Sequence, residues 1–211
     1  MPEDHKQHRE DHFYKKAKKQ GYRARSAFKL KDIQRKFNVF KRAFYILDLG
    51  SVPGSWLEVS KEFAEENLEK YNDQHYHRTH YKIMGVDIKK VSPLENIKTV
   101  RMDLTRLELQ NEIDSYFQDE LDLILSDASI KKTGIKFSDS VNQVKLCFKI
   151  LQIVKKNLKP KGATVIKCFQ GVDFNKFYRS MKKGFQSVQS YKPKSSKKGS
   201  NEIYVIGINK K

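Results

Sequence analysis

From Ala43 onward the chain alternates short apolar runs with segments of helical periodicity, and few folds accept that order. The runs 43–48, 81–87, 97–101, 121–126 and 162–168 read as strands, and 56–71, 106–118, 139–157 and 173–183 read as helices. In 139–157, Val141, Val144, Phe148, Leu151 and Val154 share one face. Lys159-Pro-Lys-Gly162 then stops that helix and turns into the next strand. Such alternation predicts a mostly parallel sheet with helices on both faces. Two last runs, 185–191 and 202–208, have no helix between them. They are expected to pair antiparallel, joined by the basic loop Lys192-Pro-Lys-Ser-Ser-Lys-Lys-Gly-Ser200. The expected fold is therefore α/β: a seven-stranded, mostly parallel sheet with an antiparallel C-terminal strand pair. Upstream, 10–20 and 24–37 read as two basic helices parted near Gly21, the second with an apolar stripe of Ala27, Leu30, Ile33 and Phe37.

The first strand runs into Asp48-Leu-Gly-Ser-Val-Pro-Gly-Ser-Trp56. An acid ends the strand, and a Gly/Ser/Pro turn opens a helix, so a ligand can approach bare backbone at the helix N-terminus. No Gly-Lys-Ser/Thr follows, which excludes a phosphate loop, and Gly-x-Gly-x-x-Gly is not matched. A plain strand-to-helix turn has the same composition. The other strand ends narrow the choice. Asp87 ends the second strand, Asp103 follows the third and Asp127 ends the fourth. Strand carboxyl ends line the ligand crevice of an open α/β sheet, and four clustered carboxylates cost stability unless donors or a cation lie between them. Asp87 is placed to accept ribose hydroxyls and Asp103 an exocyclic amine of adenine. A cationic nucleoside such as S-adenosylmethionine fits this edge; NAD, with its pyrophosphate, fits it less well.

Charge divides the chain the same way. Of its 211 residues, 1–42 hold 14 Lys/Arg against 5 Asp/Glu (+9), 43–127 hold 9 against 17 (−8), and 128–211 hold 20 against 3 (+17). The termini suit a polyanion, and the acidic middle suits a cationic or neutral cofactor. A length of 211 residues fits one domain, 1–211, with 1–42 as a basic helical extension suited to a polyanion. The apolar runs are too short to span a bilayer, so no membrane partner is expected, and a monomer is. Cys147 and Cys168 fit a reducing compartment and form no metal-ligand pattern. His75, His77 and His80 lie in a long polar connection. No acid or Cys pattern accompanies them, so no metal is expected.

Taken together the motifs resemble the FtsJ/RrmJ family of RNA 2′-O-ribose methyltransferases over nearly the whole chain. The pieces are Tyr22-Arg-Ala-Arg-Ser-Ala-Phe-Lys-Leu30, Leu47 to Trp56, Gly85-Val-Asp87, Met102-Asp-Leu104 and Leu125-Ser-Asp127. Val165-Ile-Lys-Cys-Phe-Gln-Gly171, Lys192-Pro-Lys-Ser-Ser196 and Asn201-Glu-Ile-Tyr-Val205 complete them. The resemblance implies a Rossmann-like, S-adenosylmethionine-dependent methyltransferase fold. It implies a catalytic set of Lys29, Asp127, Lys167 and Glu202. It also implies cofactor contacts at Gly54, Trp56, Asp87, Asp103 and Asp127, with Pro53, Ser55, Ile88 and Leu104 beside them. Two departures stand out: Asp127 is followed by Ala-Ser where the family usually has Ala-Pro, and the turn reads Ser-Val-Pro where Ala-Ala-Pro is common.

Methyl transfer from sulfonium to a ribose hydroxyl needs oxygen, carbon and sulfur in line and a group that takes or orients the hydroxyl proton. Lys167 interrupts an apolar strand, where an unpaired ammonium is costly, and is assigned that work. Lysine ordinarily titrates near ~10.4, so the role requires surroundings that favour its neutral form. Arg23, Arg25, Lys192, Lys194, Lys197 and Lys198 are the expected RNA contacts, and Phe13, Tyr14 and Tyr22 the expected stacking candidates. The expected activity is 2′-O-ribose methylation of large-subunit ribosomal RNA, at a uridine. A tRNA anticodon-loop methyltransferase and a non-catalytic RNA-binding module are the alternatives; mRNA-cap methylation is disfavoured for want of a cap-binding domain.

Overall fold

A computed structural model describes residues 12–71, 79–197 and 199–211. Two helices, α1 (His12–Lys19) and α2 (Ala27–Phe37), precede a sheet. Its strands and helices then follow as β1 (Tyr45–Leu49), α3 (Ser55–Lys70), β2 (Lys82–Asp87), β3 (Lys98–Arg101), α4 (Glu108–Phe117) and β4 (Leu121–Ser126). Next come α5 (Lys136–Asn157), β5 (Leu158–Phe169), α6 (Phe174–Gly184), β6 (Phe185–Tyr191) and β7 (Glu202–Lys210). The seven strands lie in the order β3-β2-β1-β4-β5-β7-β6. The first five are parallel, and β7 runs antiparallel between β5 and β6. The order reverses at β1/β4, which opens a crevice at their carboxyl ends. Among the described residues no helix is long and apolar enough to cross a membrane.

Alternation along the strands sorts the core into two layers. Ile46, Leu123, Leu125, Val165, Tyr204 and Ile206 face α2 and α3, whose Leu30, Ile33, Trp56 and Leu57 pack on them. Leu47, Ile124, Ile166 and Val205 face α5 and α6. Two elements differ from the sequence expectation. β5 begins at Leu158, because Leu158 pairs with Leu121 and a register shift absorbs the Lys-Pro-Lys turn, where Lys161 takes φ 63. α5 begins three residues before 139, because the carboxylate of Asp139 accepts from Thr133 and Gly134 and pins the chain that enters the helix. The expected 10–20 helix is described only from residue 12.

One buried acid serves the frame alone. Asp122 begins β4 at the edge opposite the crevice, and its Oδ2 accepts from Phe44 N (2.8 Å) and Tyr45 N (2.7 Å). Lys159 pairs with its other oxygen. Asp122→Asn keeps an acceptor but loses the charge on both sides. We expect a loss of about 1.5 kcal/mol, read as a fall of roughly 3–6 °C in Tm.

Candidate active site

Strand alternation delivers the central cluster. Lys167 on β5 lies opposite Tyr204 on β7, and Phe169 opposite Glu202, so Lys167, Glu202 and Tyr204 project from the face that α2 covers. Lys29 descends from α2 onto them. Its ammonium pairs with Glu202 Oε1 and donates to the Tyr204 hydroxyl at 3.1 Å. That hydroxyl has one proton. It lies 2.7 Å from Asp127 Oδ1 and 3.2 Å from Glu202 Oε1, so the shorter bond to Asp127 takes it. Lys167 Nζ sits 3.0 Å from the same Asp127 oxygen and also donates to the Asp127 backbone carbonyl. These bonds bring all four expected catalytic residues together, and Tyr204 ties the Lys29–Glu202 pair to the Asp127–Lys167 pair.

The electrostatics follow from this packing. Burial raises the Asp127 pKa, but Lys167, Lys29 and the Tyr204 hydroxyl together hold it below the ordinary carboxylate range. Burial and the flanking carboxylates of Asp127 and Glu202 push Tyr204 well above the usual phenol value, so it remains a neutral donor. The cluster thus keeps Asp127 ionised and Tyr204 protonated throughout the neutral range.

Two spaces meet at this cluster. A cavity of about 670 Å³ lies over the carboxyl ends of β1, β2 and β4; its walls include Gly50, Val52, Asp87, Asp103, Asp127 and Ile130. A groove of about 730 Å³ lies on the other side, with the cations Arg25, Lys29, Lys132, Lys136 and Lys197 along it and the acids Asp139 and Glu202 among them. Asp87 is fixed at the cavity rim by Val52 N at 3.0 Å and Lys89 N at 2.9 Å, and Asp103 by the amide and hydroxyl of Thr105, both at 2.8 Å. Below the rim Asp48 is fully buried, and neither of its oxygens has a hydrogen-bond partner. Burial, with Asp127 and Asp87 close by, drives its pKa well above the ordinary value.

This site sits on a known scaffold. Residues 22–210 match the FtsJ-like methyltransferases. The chain belongs to that family. It is 39% identical over 197 residues to a ribosomal RNA large subunit methyltransferase E of Methanothrix thermoacetophila, a match that covers 93% of this chain and 71% of that one. The enzyme of the same name from Bdellovibrio bacteriovorus is 36% identical over 203 residues, covering 95% and 97%. A crystal structure of a ribosomal RNA methyltransferase from Plasmodium falciparum has a TM-score of 0.73 at 28% identity and covers 90% of this chain and 98% of its own.

Within this methyltransferase, not every expected contact reaches its expected place. Asp87, Ile88, Asp103, Leu104 and Asp127 line the cavity; Pro53, Gly54, Ser55 and Trp56 are not among its walls. The turn holds a cis Val52–Pro53 peptide, and Gly54 caps α3 at φ 110. Ser55 Oγ meets Ser26 Oγ at 2.7 Å, and Trp56, 2% exposed, donates to Ser26 O at 2.9 Å and packs near Tyr204. The turn therefore docks α2 as well as bounding the cavity through Gly50 and Val52. Arg23 is not a groove cation. Its guanidinium donates to the carbonyls of Ser92 and Pro93, both at 2.7 Å, and pairs with Glu58 at 3.3 Å. Arg25 does line the groove while bonded to Ser195 O. Lys197 lines it too, Lys194 is exposed, and Lys192 reaches Ser200 O at 2.5 Å. Lys198 lies outside the described residues, as do His75 and His77; His80 meets the Tyr45 hydroxyl at 3.1 Å. Tyr22 bonds Glu62, Phe13 packs on Phe28, and Tyr14 is exposed.

Three contributors were not singled out by sequence. Tyr204 had a signal: it sits two residues after Glu202 in a strand, hence on the same face. Lys132 and Lys136 had only charge, in a stretch without periodicity.

The Asp48 pKa carries a stability prediction. Its folded value lies above its unfolded one, so the native state keeps a proton that the unfolded chain releases above about pH 3.9. Stability contributed by this group therefore falls as pH rises from the unfolded value toward the folded one. In Asp48→Asn that component disappears. Melting temperatures of the ligand-free protein between pH 5 and 8 should decline in the parent chain more than in the variant; identical profiles would refute the assignment.

Proposed function

We propose that this protein transfers a methyl group from S-adenosylmethionine to a ribose 2′-hydroxyl of large-subunit ribosomal RNA, at a uridine. The observation that carries the reading is the Asp127–Lys167 pair set between an acid-lined cavity and a cation-lined groove. The relatives' names support the ribosomal substrate, and the family resemblance supports the uridine. The cavity suits the cofactor. The carboxylates of Asp87, Asp103 and Asp127 in its walls favour a cationic ligand and oppose a pyrophosphate. Asp87 accepts one backbone N–H per oxygen and keeps lone pairs for ribose hydroxyls. Ile88 and Leu104 supply apolar wall for a base. When bound, the cofactor supplies a methyl group activated on a sulfonium.

The rest is done by side chains. Two bonds of Lys167 Nζ go to Asp127, one to its carboxylate and one to its carbonyl. One position on that nitrogen remains for the ribose hydroxyl, to take or to orient its proton. Asp127, held ionised, fixes the lysine. Glu202 holds Lys29 at the groove, where its charge suits the RNA backbone or the developing alkoxide.

The test is incubation of the protein with methyl-labelled S-adenosylmethionine and total RNA, followed by mapping. Label on a 2′-oxygen of large-subunit rRNA is expected, seen as a ribose linkage resistant to alkali. Label in tRNA would favour the anticodon-loop alternative, and label confined to bases or protein would overturn the proposal.

A further inference from the structure

The segment that links β4 to α5 is both rigidly held and unusually exposed. Asp139, a buried acid on α5, accepts from Thr133 N and Oγ1 at 2.8 Å and from Gly134 N at 3.2 Å. Gln143, fully buried one turn further on, accepts from Ile130 N at 3.1 Å and donates to the Ala128 and Lys167 carbonyls at 3.0 and 3.1 Å. The loop is therefore clamped at two points, one of them the backbone of the central lysine. It also separates the two spaces: Ile130 and Lys131 line the cavity, whereas Lys132, Gly134 and Lys136 line the groove.

Held this way, the loop presents large apolar side chains to solvent. Ile135 and Phe137 are each 65% exposed. Val172, 70% exposed, follows Gly171, whose backbone lies against Ser140 one turn beyond Phe137. A cluster of largely exposed apolar side chains, one of them aromatic, beside a clamped loop marks a surface for an occupant. The charge around them selects one. Residues 129–138 carry Lys131, Lys132 and Lys136 and no acid, so the patch repels a basic partner and attracts a polyanion. Phe137 directly follows Lys136, which lines the cationic groove, and an exposed ring beside such cations is the arrangement that stacks a base while the cations hold its phosphates.

We infer that residues 131–137, the loop and the first residues of α5, are an RNA-gripping element in which Phe137 stacks on an unpaired base beside the methylated nucleotide and Lys132 and Lys136 contact its phosphates. Phe137 is a positioning residue here: its stacking presents the target ribose to Lys167 along a clamped path. Because the loop is already ordered, little conformational freedom is lost on binding. This inference rests on the RNA substrate proposed above.

The test uses the full chain with two RNA probes. One is an rRNA fragment that spans the mapped nucleotide, with 2-aminopurine in place of a neighbouring base. The other is a labelled single-stranded oligouridylate read by anisotropy. Phe137→Ala should weaken both probes by about 5- to 100-fold and abolish the stacking quench of 2-aminopurine. It should raise KM for RNA and so lower kcat/KM, with the rate at saturating RNA, S-adenosylmethionine affinity and Tm unmoved. Phe137→Trp should recover affinity and quench, whereas Phe137→Leu, apolar but not aromatic, should not. Lys132→Ala and Lys136→Ala should each reduce the salt slope of binding by about one. An unquenched reporter in the parent chain, or equal RNA affinity in Phe137→Ala, would overturn the stacking role. A parent chain that grips RNA through Phe137 but transfers no methyl group would instead overturn the enzymatic reading and leave this one standing.

Discussion

Lys167→Ala is expected to reduce single-turnover methyl transfer by about 10²- to 10⁴-fold, the range carried by a positioned proton-transfer group. S-adenosylmethionine and RNA affinities should stay within a few-fold of the parent, because Lys167 is not among the walls of either the cavity or the groove. Removing the lysine leaves the Asp127 carboxylate with the Tyr204 hydroxyl as a bonded partner and Lys29 close by. Lys167→Met, which keeps the packing volume, separates chemistry from folding: equal rate losses in the two variants, with Tm preserved in Met, assign the loss to the missing nitrogen. A rate within tenfold of the parent in either variant would remove Lys167 from the centre of the reaction.

The second large effect falls on the frame. Gly50 has φ 81, and a Cβ built there would stand 2.5 Å from Ala128 Cα and 2.6 Å from Ala128 N. Both contacts are backbone, so relief requires β1 and β4 to part at the crevice. Left-handed strain and overpacking together suggest a cost of about 3–5 kcal/mol for Gly50→Ala, or roughly 6–20 °C in Tm. The cavity wall at Gly50 and Val52 should distort with it and weaken cofactor binding. Gly134→Ala is the control. Its φ is 90, yet nothing lies within 4 Å of its would-be Cβ, so only the backbone strain of about 1–2 kcal/mol remains. Comparable losses in the two variants would show that crowding against β4 is not what reserves position 50 for glycine.

The architecture was legible because alternation and helical periodicity repeat over many residues. Boundaries failed where tertiary partners decide them: Asp139 extends α5 through donors in the preceding loop, and Leu121 recruits Leu158 into β5 across the Lys-Pro-Lys turn. The acidic crevice could be read from where strands end. The distance from α2 to β7 could not, and Lys29 and Glu202 were placed by resemblance alone. Arg23 shows the limit of charge as a guide. Two short hydrogen bonds of its guanidinium end on the carbonyls of Ser92 and Pro93, and backbone acceptors leave no mark in a sequence. Trp56 shows the same for aromatics, since what buries it is a helix that begins 29 residues earlier. Phe137 is the reverse case. An exposed apolar residue is invisible by composition and conspicuous only once the surface is known.

The position of β7 has a consequence for the newborn protein. It comes last among the strands along the chain, yet it lies inside the sheet, between β5 and β6. Lys167 is synthesised long before the Glu202 and Tyr204 that complete its surroundings. During translation β5 can pair with β4, but β6, whose pairing is with β7, has no neighbouring strand until residues 202–210 emerge. The site is therefore complete only once β7 has been made and seated: a chain stalled short of it holds Lys29 and Lys167 with no Glu202 and no Tyr204 to join them.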